Sequence, residues 1–413
     1  MRQILFVCGL ILVLCGCRGS SVQPKPKGAF ATGEYPNLFT DLLGVPSEKV
    51  DARVMQAWDQ LFYGDGDTER VYYPVAPDMA YIKDVLHNDV RSEGMSYGMM
   101  IAVQLNKKEA FDRMWKWAKT FMQHQSGPRK GYFAWNVGTD GVIRDPNSAS
   151  DGEEWFVTAL FFASARWGDG EGVTDYHAEA QTILDAMLGK SESSDSDTVI
   201  TNMFNRSEKQ VVFVPVGNAD DFSDPSYHVP HFYDVWAMEA DRGNAFWADA
   251  ADVSRAYFEK AAHPKTGLTP DYAGFDGTPV DPPWGGGHDA FRFDAWRTVM
   301  NAAVDYVWFR DNPDAPGLCN RLLDFFFKQG LDTYVNQYTL DGKPLSTDRS
   351  SGLTAMNAAA CLAATHPNRE AFVRALWEQP VPSGLYRYYD GLLTMLGLLQ
   401  VSGQFRIYTT GSD

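Results

Sequence analysis

Cysteine is scarce in this chain of 413 residues: five are present, and three of them, Cys8, Cys15 and Cys17, fall within the first seventeen positions. The other two, Cys319 and Cys361, lie in apolar, helix-like surroundings and read as buried thiols, with a disulfide between them left open for an oxidising compartment. No Cys-x-x-Cys and no His-x-x-x-His pair occurs, so the sequence calls for no metal and no other cofactor. Positive charge is also short. Lys and Arg number 36 against 53 Asp and Glu, a formal net charge of −17, which excludes a nucleic-acid or anionic-membrane surface because phosphate binding needs clustered cations. Strand-like alternation is rare and no repeat recurs at a constant period. The one long apolar run, Ile4 to Leu14, is too short to span a bilayer comfortably.

That run follows Arg2 and ends in Leu14-Cys15-Gly16-Cys17, the pattern of a secretory signal closed by the lipobox of bacterial lipoproteins. The expectation is export, acylation at Cys17, a polar tether over 18–35, and attachment to a bacterial membrane through the lipid. Residues 36–413 are expected to form a single domain. Hydrophobic residues make up 45% and aromatic residues 14% of the chain, enough for a sizeable core. Many rings beside many carboxylates is also what a carbohydrate cleft requires, since sugar faces stack on rings and sugar hydroxyls bond to carboxylates.

Helical spacing of apolar residues predicts helices over 48–63, 92–106, 108–124, 152–168, 176–188, 229–241, 244–262, 290–310, 315–335, 352–365, 368–377 and 385–401, with short strands at 131–135 and 211–215. About twelve helices in successive pairs fit a toroid of helical hairpins better than a four-helix bundle, whose single core could not bury so many. The fold class is therefore all-α, an (α/α)6 barrel, with an open solenoid as the alternative. In such a toroid the inner helices run the same way, so carboxylates at their N-terminal ends converge on one face.

Three predicted helix starts carry such a carboxylate. Arg91-Ser-Glu-Gly-Met-Ser-Tyr-Gly-Met-Met100 sets Glu93 at the mouth of an apolar helix, where it is a candidate proton donor; Gly94 and Gly98 would leave room for a ligand. The plain alternative is that Ser92 or Glu93 only caps the helix. Asn147-Ser-Ala-Ser-Asp-Gly-Glu-Glu-Trp155 presents Asp151, which with Glu154 also reads as a capping box. Gly285-Gly-Gly-His-Asp-Ala-Phe-Arg-Phe-Asp-Ala-Trp-Arg297 presents Asp294, for which an ion pair to Arg292 or Arg297 is the structural alternative.

Together these segments, with Asp224-Pro-Ser-Tyr-His-Val-Pro-His-Phe-Tyr-Asp-Val-Trp236 and Arg387-Tyr-Tyr-Asp-Gly-Leu-Leu-Thr-Met-Leu-Gly-Leu-Leu399, resemble glycoside hydrolase family 8 over nearly the whole mature chain. The resemblance implies an (α/α)6 barrel and hydrolysis with inversion. By position it implies that Glu93 protonates the glycosidic oxygen, Asp294 activates the attacking water and Asp151 holds the sugar that becomes the new reducing end. A helix N-terminus lowers the pKa of a carboxyl, so Glu93 needs an opposing influence to stay protonated. The expectation is that repulsion from Asp151 and Asp294 provides it, with burial adding to the effect.

Trp135, Tyr227, Trp284 and Tyr389 are candidate sugar platforms, Trp135 and Tyr227 ahead of the others, and Arg297 is expected to orient a carboxylate. His228, His231 and His288 read as scaffold or sugar contacts rather than metal ligands. The motifs are most similar to the xylan-active branch of the family, which implies a β-linked oligo- or polysaccharide substrate with β-1,4-xylosidic bonds. Glucan or chitosan, and a lipid-tethered glycan binder without catalysis, are the alternatives. Exo-acting members of that branch carry a Leu-His-Pro kink where this chain reads Gly342-Lys-Pro-Leu-Ser-Thr-Asp-Arg-Ser-Ser-Gly352 without a histidine, a departure that counts against exo action unless other residues of a longer loop block the groove. Oligomeric state is not legible.

Overall fold

A computed structural model describes residues 27–190, 193–195 and 198–411. The signal segment, Cys17 and most of the expected tether lie outside the described residues. Two short helices, α1 (Ala29–Thr32) and α2 (Leu38–Leu43), lead into twelve longer ones. These alternate between an outer and an inner position: α3 (Ser47–Tyr63) and α4 (Ser92–Gln104), α5 (Lys108–Phe121) and α6 (Ser150–Trp167), α7 (Tyr176–Leu188) and α8 (Pro230–Glu239), α9 (Asn244–Ala261) and α10 (Thr298–Phe309), α11 (Ala315–Gln329) and α12 (Ser351–Ala360), α13 (Arg369–Glu378) and α14 (Arg387–Val401). The even-numbered helices from α4 to α14 pack each on the next, and α14 returns against α4, closing a ring of six. This is the expected (α/α)6 barrel.

Composition explains which helix goes where. In α6 every residue from Ser150 to Ser164 is buried, as is almost all of α4 and α14, the pattern of a helix covered on all sides. Outer helices are one-sided: α5 buries Ala110, Phe111, Met114, Trp115, Trp117 and Ala118, while its charged residues face out. Close packing of inner helices needs small residues at the crossings. A Cβ on Gly152 of α6 would stand 2.6 Å from the Ser92 Cβ of α4.

Several expectations on extent are corrected. Residues 28–35 are not tether, because Ala29 is buried, Phe30 meets Phe309 with ring centroids 5.6 Å apart, and Gly28 abuts the Trp308 carbonyl. The helix expected over 290–310 starts late: a 3-10 turn, Ala295–Arg297, precedes α10. The helix expected to reach 335 stops at Gln329, with Gly330 at φ 88° beyond it. Strands are more numerous than the alternation suggested. A hairpin, β1 (Tyr72–Ala76) with β2 (Met79–Ile82), and a three-stranded antiparallel sheet, β3 (Asp89–Arg91), β4 (Asn136–Gly138) and β5 (Ile143–Asp145), occupy the connections at the N-terminal face of the inner ring. The strand expected at 131–135 thus lies just C-terminal of its place, and that at 211–215 shrinks to Gln210–Val211 paired with Phe204–Asn205. Such strands are too short for a period of two to register. Cys319 and Cys361 are buried free thiols, so the disulfide left open is absent.

Candidate active site

The three helix starts meet. Strand β3 delivers the chain into α4, with Arg91 opposite Asn136 of β4 and the Ser92 amide donating to the Trp135 carbonyl at 3.0 Å. Glu93 is thereby fixed in the first turn of α4. Neither it nor Ser92 makes a capping bond, and Asp151 with Glu154 forms no capping box. Glu154 instead accepts from the Tyr233 hydroxyl at 2.5 Å. The readings of Glu93, Asp151 and Glu154 as helix caps fail because tertiary partners take their carboxylates.

Arg297 is the partner shared by all three carboxylates. Its Nη1 donates to Glu93 Oε2 at 3.1 Å and to Asp151 Oδ2 at 2.8 Å, and its Nη2 donates to Asp294 Oδ1 at 2.8 Å. Nη1 also bonds the Tyr97 hydroxyl, one turn along α4 from Glu93. The Arg297 side chain is 2% exposed. Asp294 does pair with Arg297, as its structural alternative expected, and the same pair builds the site; Arg292 bonds the Gly286 carbonyl instead.

One guanidinium cannot neutralise three carboxylates. If all were ionised, the buried cluster would carry a surplus of negative charge, so at least one proton is retained there. Glu93 holds it most readily: its carboxyl is pushed up from 4.5 to about 7, first by burial, with Arg297 opposing and the repulsion of Asp151 and Asp294 adding. The order of causes corrects the sequence expectation, which put repulsion first. Burial also lifts Asp151 to about 6 against the pull of Arg297. The space expected beside Gly94 and Gly98 is not open. A Cβ on Gly94 would lie 2.5 Å from the Tyr388 ring, and one on Gly98 would lie 2.7 Å from Ile82. The glycines admit packing partners, not a ligand.

The expected platforms divide. The Tyr227 ring is 5% exposed and lies below the Arg297 guanidinium, with 5.7 Å from Cζ to the ring centroid. Tyr389 packs on Trp296, and its hydroxyl donates to the Phe293 carbonyl. Trp135 is half-buried with the Arg91 guanidinium 5.5 Å above its ring. Trp284 is 55% exposed, and the ring it stands beside is Phe222, 6.2 Å away, not a member of the carboxylate cluster. His228 is locked between Ser223 and Ser254 hydroxyls, and His231 is buried against Trp308, both as scaffold. His288 reaches Asp271 at 3.1 Å and stacks on Tyr272. A cleft of about 690 Å3 opens over Glu93 and Asp294, walled by Phe293, Arg349, Leu385, Tyr386, Tyr388 and Tyr389.

Sequence reasoning missed Tyr388, whose hydroxyl donates to Glu93 Oε1 at 3.0 Å, and two buried acids near Asp294. Asp224 is pushed well above the carboxylate range by burial and then by Asp294; Asp271, lifted to about 6 by burial, accepts from the Ala295 amide at 3.1 Å. Asp224 and Tyr388 lay inside motifs already singled out. Asp271 had no local signal.

Comparisons with known proteins show what the chain as a whole is similar to. The family model described as glycosyl hydrolases family 8 matches residues 83–403. A reducing-end xylose-releasing exo-oligoxylanase of Paenibacillus barcinonensis is 45% identical over 385 residues, which is 92% of this chain and 99% of that protein. Another of that description from Halalkalibacterium halodurans is 41% identical, over 94% of this chain and 98% of its own. Among solved structures, a catalytic-mutant xylanase from Teredinibacter turnerae in complex with xylohexaose is 48% identical, covers 92% of this chain and all of its own, and superposes with a TM-score of 0.89.

Proposed function

Since this chain belongs to glycoside hydrolase family 8, an inverting family, we propose that it hydrolyses β-1,4-xylosidic linkages in xylo-oligosaccharides or xylan. Relatives more than 40% identical carry names that state action on xylo-oligosaccharides, and a xylanase 48% identical binds xylohexaose. A cleft of about 690 Å3 supports a substrate of several sugar units.

The observation that carries the reading is the single guanidinium shared by Glu93, Asp151 and Asp294. Inversion requires two carboxyls held apart, roughly 6.5–9.5 Å, so that a water fits opposite the leaving group. Arg297 stands between Glu93 and Asp294 and bonds them through different nitrogens, which keeps them from closing on each other. Glu93, protonated up to about pH 7, gives its proton to the glycosidic oxygen as the bond to the anomeric carbon breaks and its electron pair leaves with that oxygen. Asp294 takes one proton from water while the hydroxide portion bonds to the anomeric carbon from the other face. Asp151, fixed by Arg297, holds the sugar undergoing attack. Tyr227 and Tyr389 stand at that centre, whereas Trp135 and Trp284 do not wall the cleft over Glu93 and Asp294.

Proton NMR of the first product from xylohexaose tests this directly. An α-anomer at the new reducing end is expected; a β-anomer, or no cleavage of xylohexaose alongside turnover of cello- or chitosan oligosaccharides, overturns it. The product profile across oligosaccharides of increasing length then separates release of single xylose from internal cuts. Export with a lipid at Cys17 belongs to the same proposal, on the strength of Leu14-Cys15-Gly16-Cys17. Mass spectrometry of the mature N-terminus checks it, and an unacylated residue there refutes it.

A further inference from the structure

Glu93 is held at both oxygens. Oε2 accepts from Arg297, and Oε1 accepts from Tyr388. A proton on Oε2 would face a guanidinium that itself donates only, so the proton to be delivered belongs on Oε1. Tyr388 is 4% exposed, and its ring rests on the backbone of α4 at Gly94, where a Cβ would come within 2.5 Å of the ring. The hydroxyl therefore has little freedom to move away. From this we infer that Tyr388 is a positioning residue for the general acid: it directs Oε1 and steadies the carboxylate that forms as the proton leaves.

The inference rests on the hydrolase reading above. The physical reason is differential. A hydroxyl donating to Oε1 bonds weakly while Oε1 carries the proton and strongly once the carboxylate exists, so its contribution grows along the reaction coordinate. Other charged and titratable groups face Glu93 from every side: Arg297 and Asp294 from the turn before α10, Asp151 from α6, Arg91 at the end of β3, Tyr97 from α4 and Tyr389 from α14. Arg297 and Asp151 already bond each other, Tyr97 bonds Arg297, and Tyr389 bonds the Phe293 carbonyl. The Tyr388 hydroxyl is the neutral donor on Oε1.

The test is Tyr388→Phe, which removes one oxygen and keeps the ring. Losing a hydrogen bond to a charged group predicts kcat on xylohexaose lower by roughly 10-fold, KM nearly unchanged, and the alkaline limb of the pH–rate profile displaced upward by roughly one pH unit. On β-xylobiosyl fluoride, whose leaving group needs no proton, the loss should nearly vanish. Titration of Glu93 by 13C NMR in protein labelled at the glutamate carboxyl, assigned by difference from Glu93→Gln, reads the same displacement without substrate. It therefore stands even if xylan proves to be the wrong sugar. Gly94→Ala, which pushes the ring away, should reproduce the displaced limb. An unmoved limb and titration, or an equal loss on the fluoride, overturns the inference and leaves Tyr388 as packing.

Discussion

Glu93→Gln should remove activity and, above neutral pH, make the protein more stable. The folded-state carboxyl titrates at about 7 against an ordinary value of 4.5. Between those values the unfolded chain has released the proton while the native state keeps it, so stability falls as pH rises through this window and is flat above it. At about 1.4 kcal/mol per pH unit the separation corresponds to roughly 3 kcal/mol. The side chain is 16% exposed, and solvent screening trims the figure toward about 2 kcal/mol. Glutamine keeps the shape but cannot ionise, so the variant escapes this cost at pH 8 and has little of it to escape at pH 5. The quantity to measure is the difference in unfolding free energy between variant and parent, at each pH, by guanidinium denaturation. Constant packing effects cancel when the two are compared, leaving about 2–3 kcal/mol, which is a few degrees in Tm for a domain this large. Equal differences at pH 5 and pH 8 would refute the buried, proton-bearing Glu93 on which the mechanism depends. Activity on xylohexaose should fall roughly 10²-fold or more, and far less on β-xylobiosyl fluoride.

Asp294→Asn should lose about as much, roughly 10²-fold or more, but on both substrates, because water needs activation whatever the leaving group; recovery on the fluoride would contradict its role as base. Arg297→Met leaves Glu93, Asp294 and the buried Asp151 without their shared cation and should destabilise the fold by about 3–5 kcal/mol, read by denaturation at pH 8, whereas a stability unchanged from the parent contradicts the bridge. Gly152→Ala forces a methyl against Ser92 at 2.6 Å and should cost about 1–3 kcal/mol; a neutral substitution would show that α4 and α6 do not cross where they are placed.

Most inner and outer helices were legible because a period of 3.6 persists over three or more turns and glycines and prolines interrupt it. Helix ends were less so. The turn before α10 looks helical by composition, yet Arg297 is drawn into tertiary bonds with Glu93 and Asp151, and the regular helix waits until Thr298. At Gly94 the small residue suggested an opening, when a ring from α14 fills it. Local sequence carries no information about which side chain arrives from elsewhere.

The sequence by itself determined the all-α class, the pairing of helices and three acid-bearing segments, since periodicity and motif spacing are local properties. Tertiary structure alone decided what those acids do. Closure of α14 on α4 brings Tyr388 to Glu93 across 295 residues of chain, and Arg297 reaches Glu93 across 204. The burial that lifts Glu93 to about 7 also exists only once the ring is shut. A carboxyl on a helix start becomes an acid through desolvation and through partners distant in sequence, and both are consequences of packing.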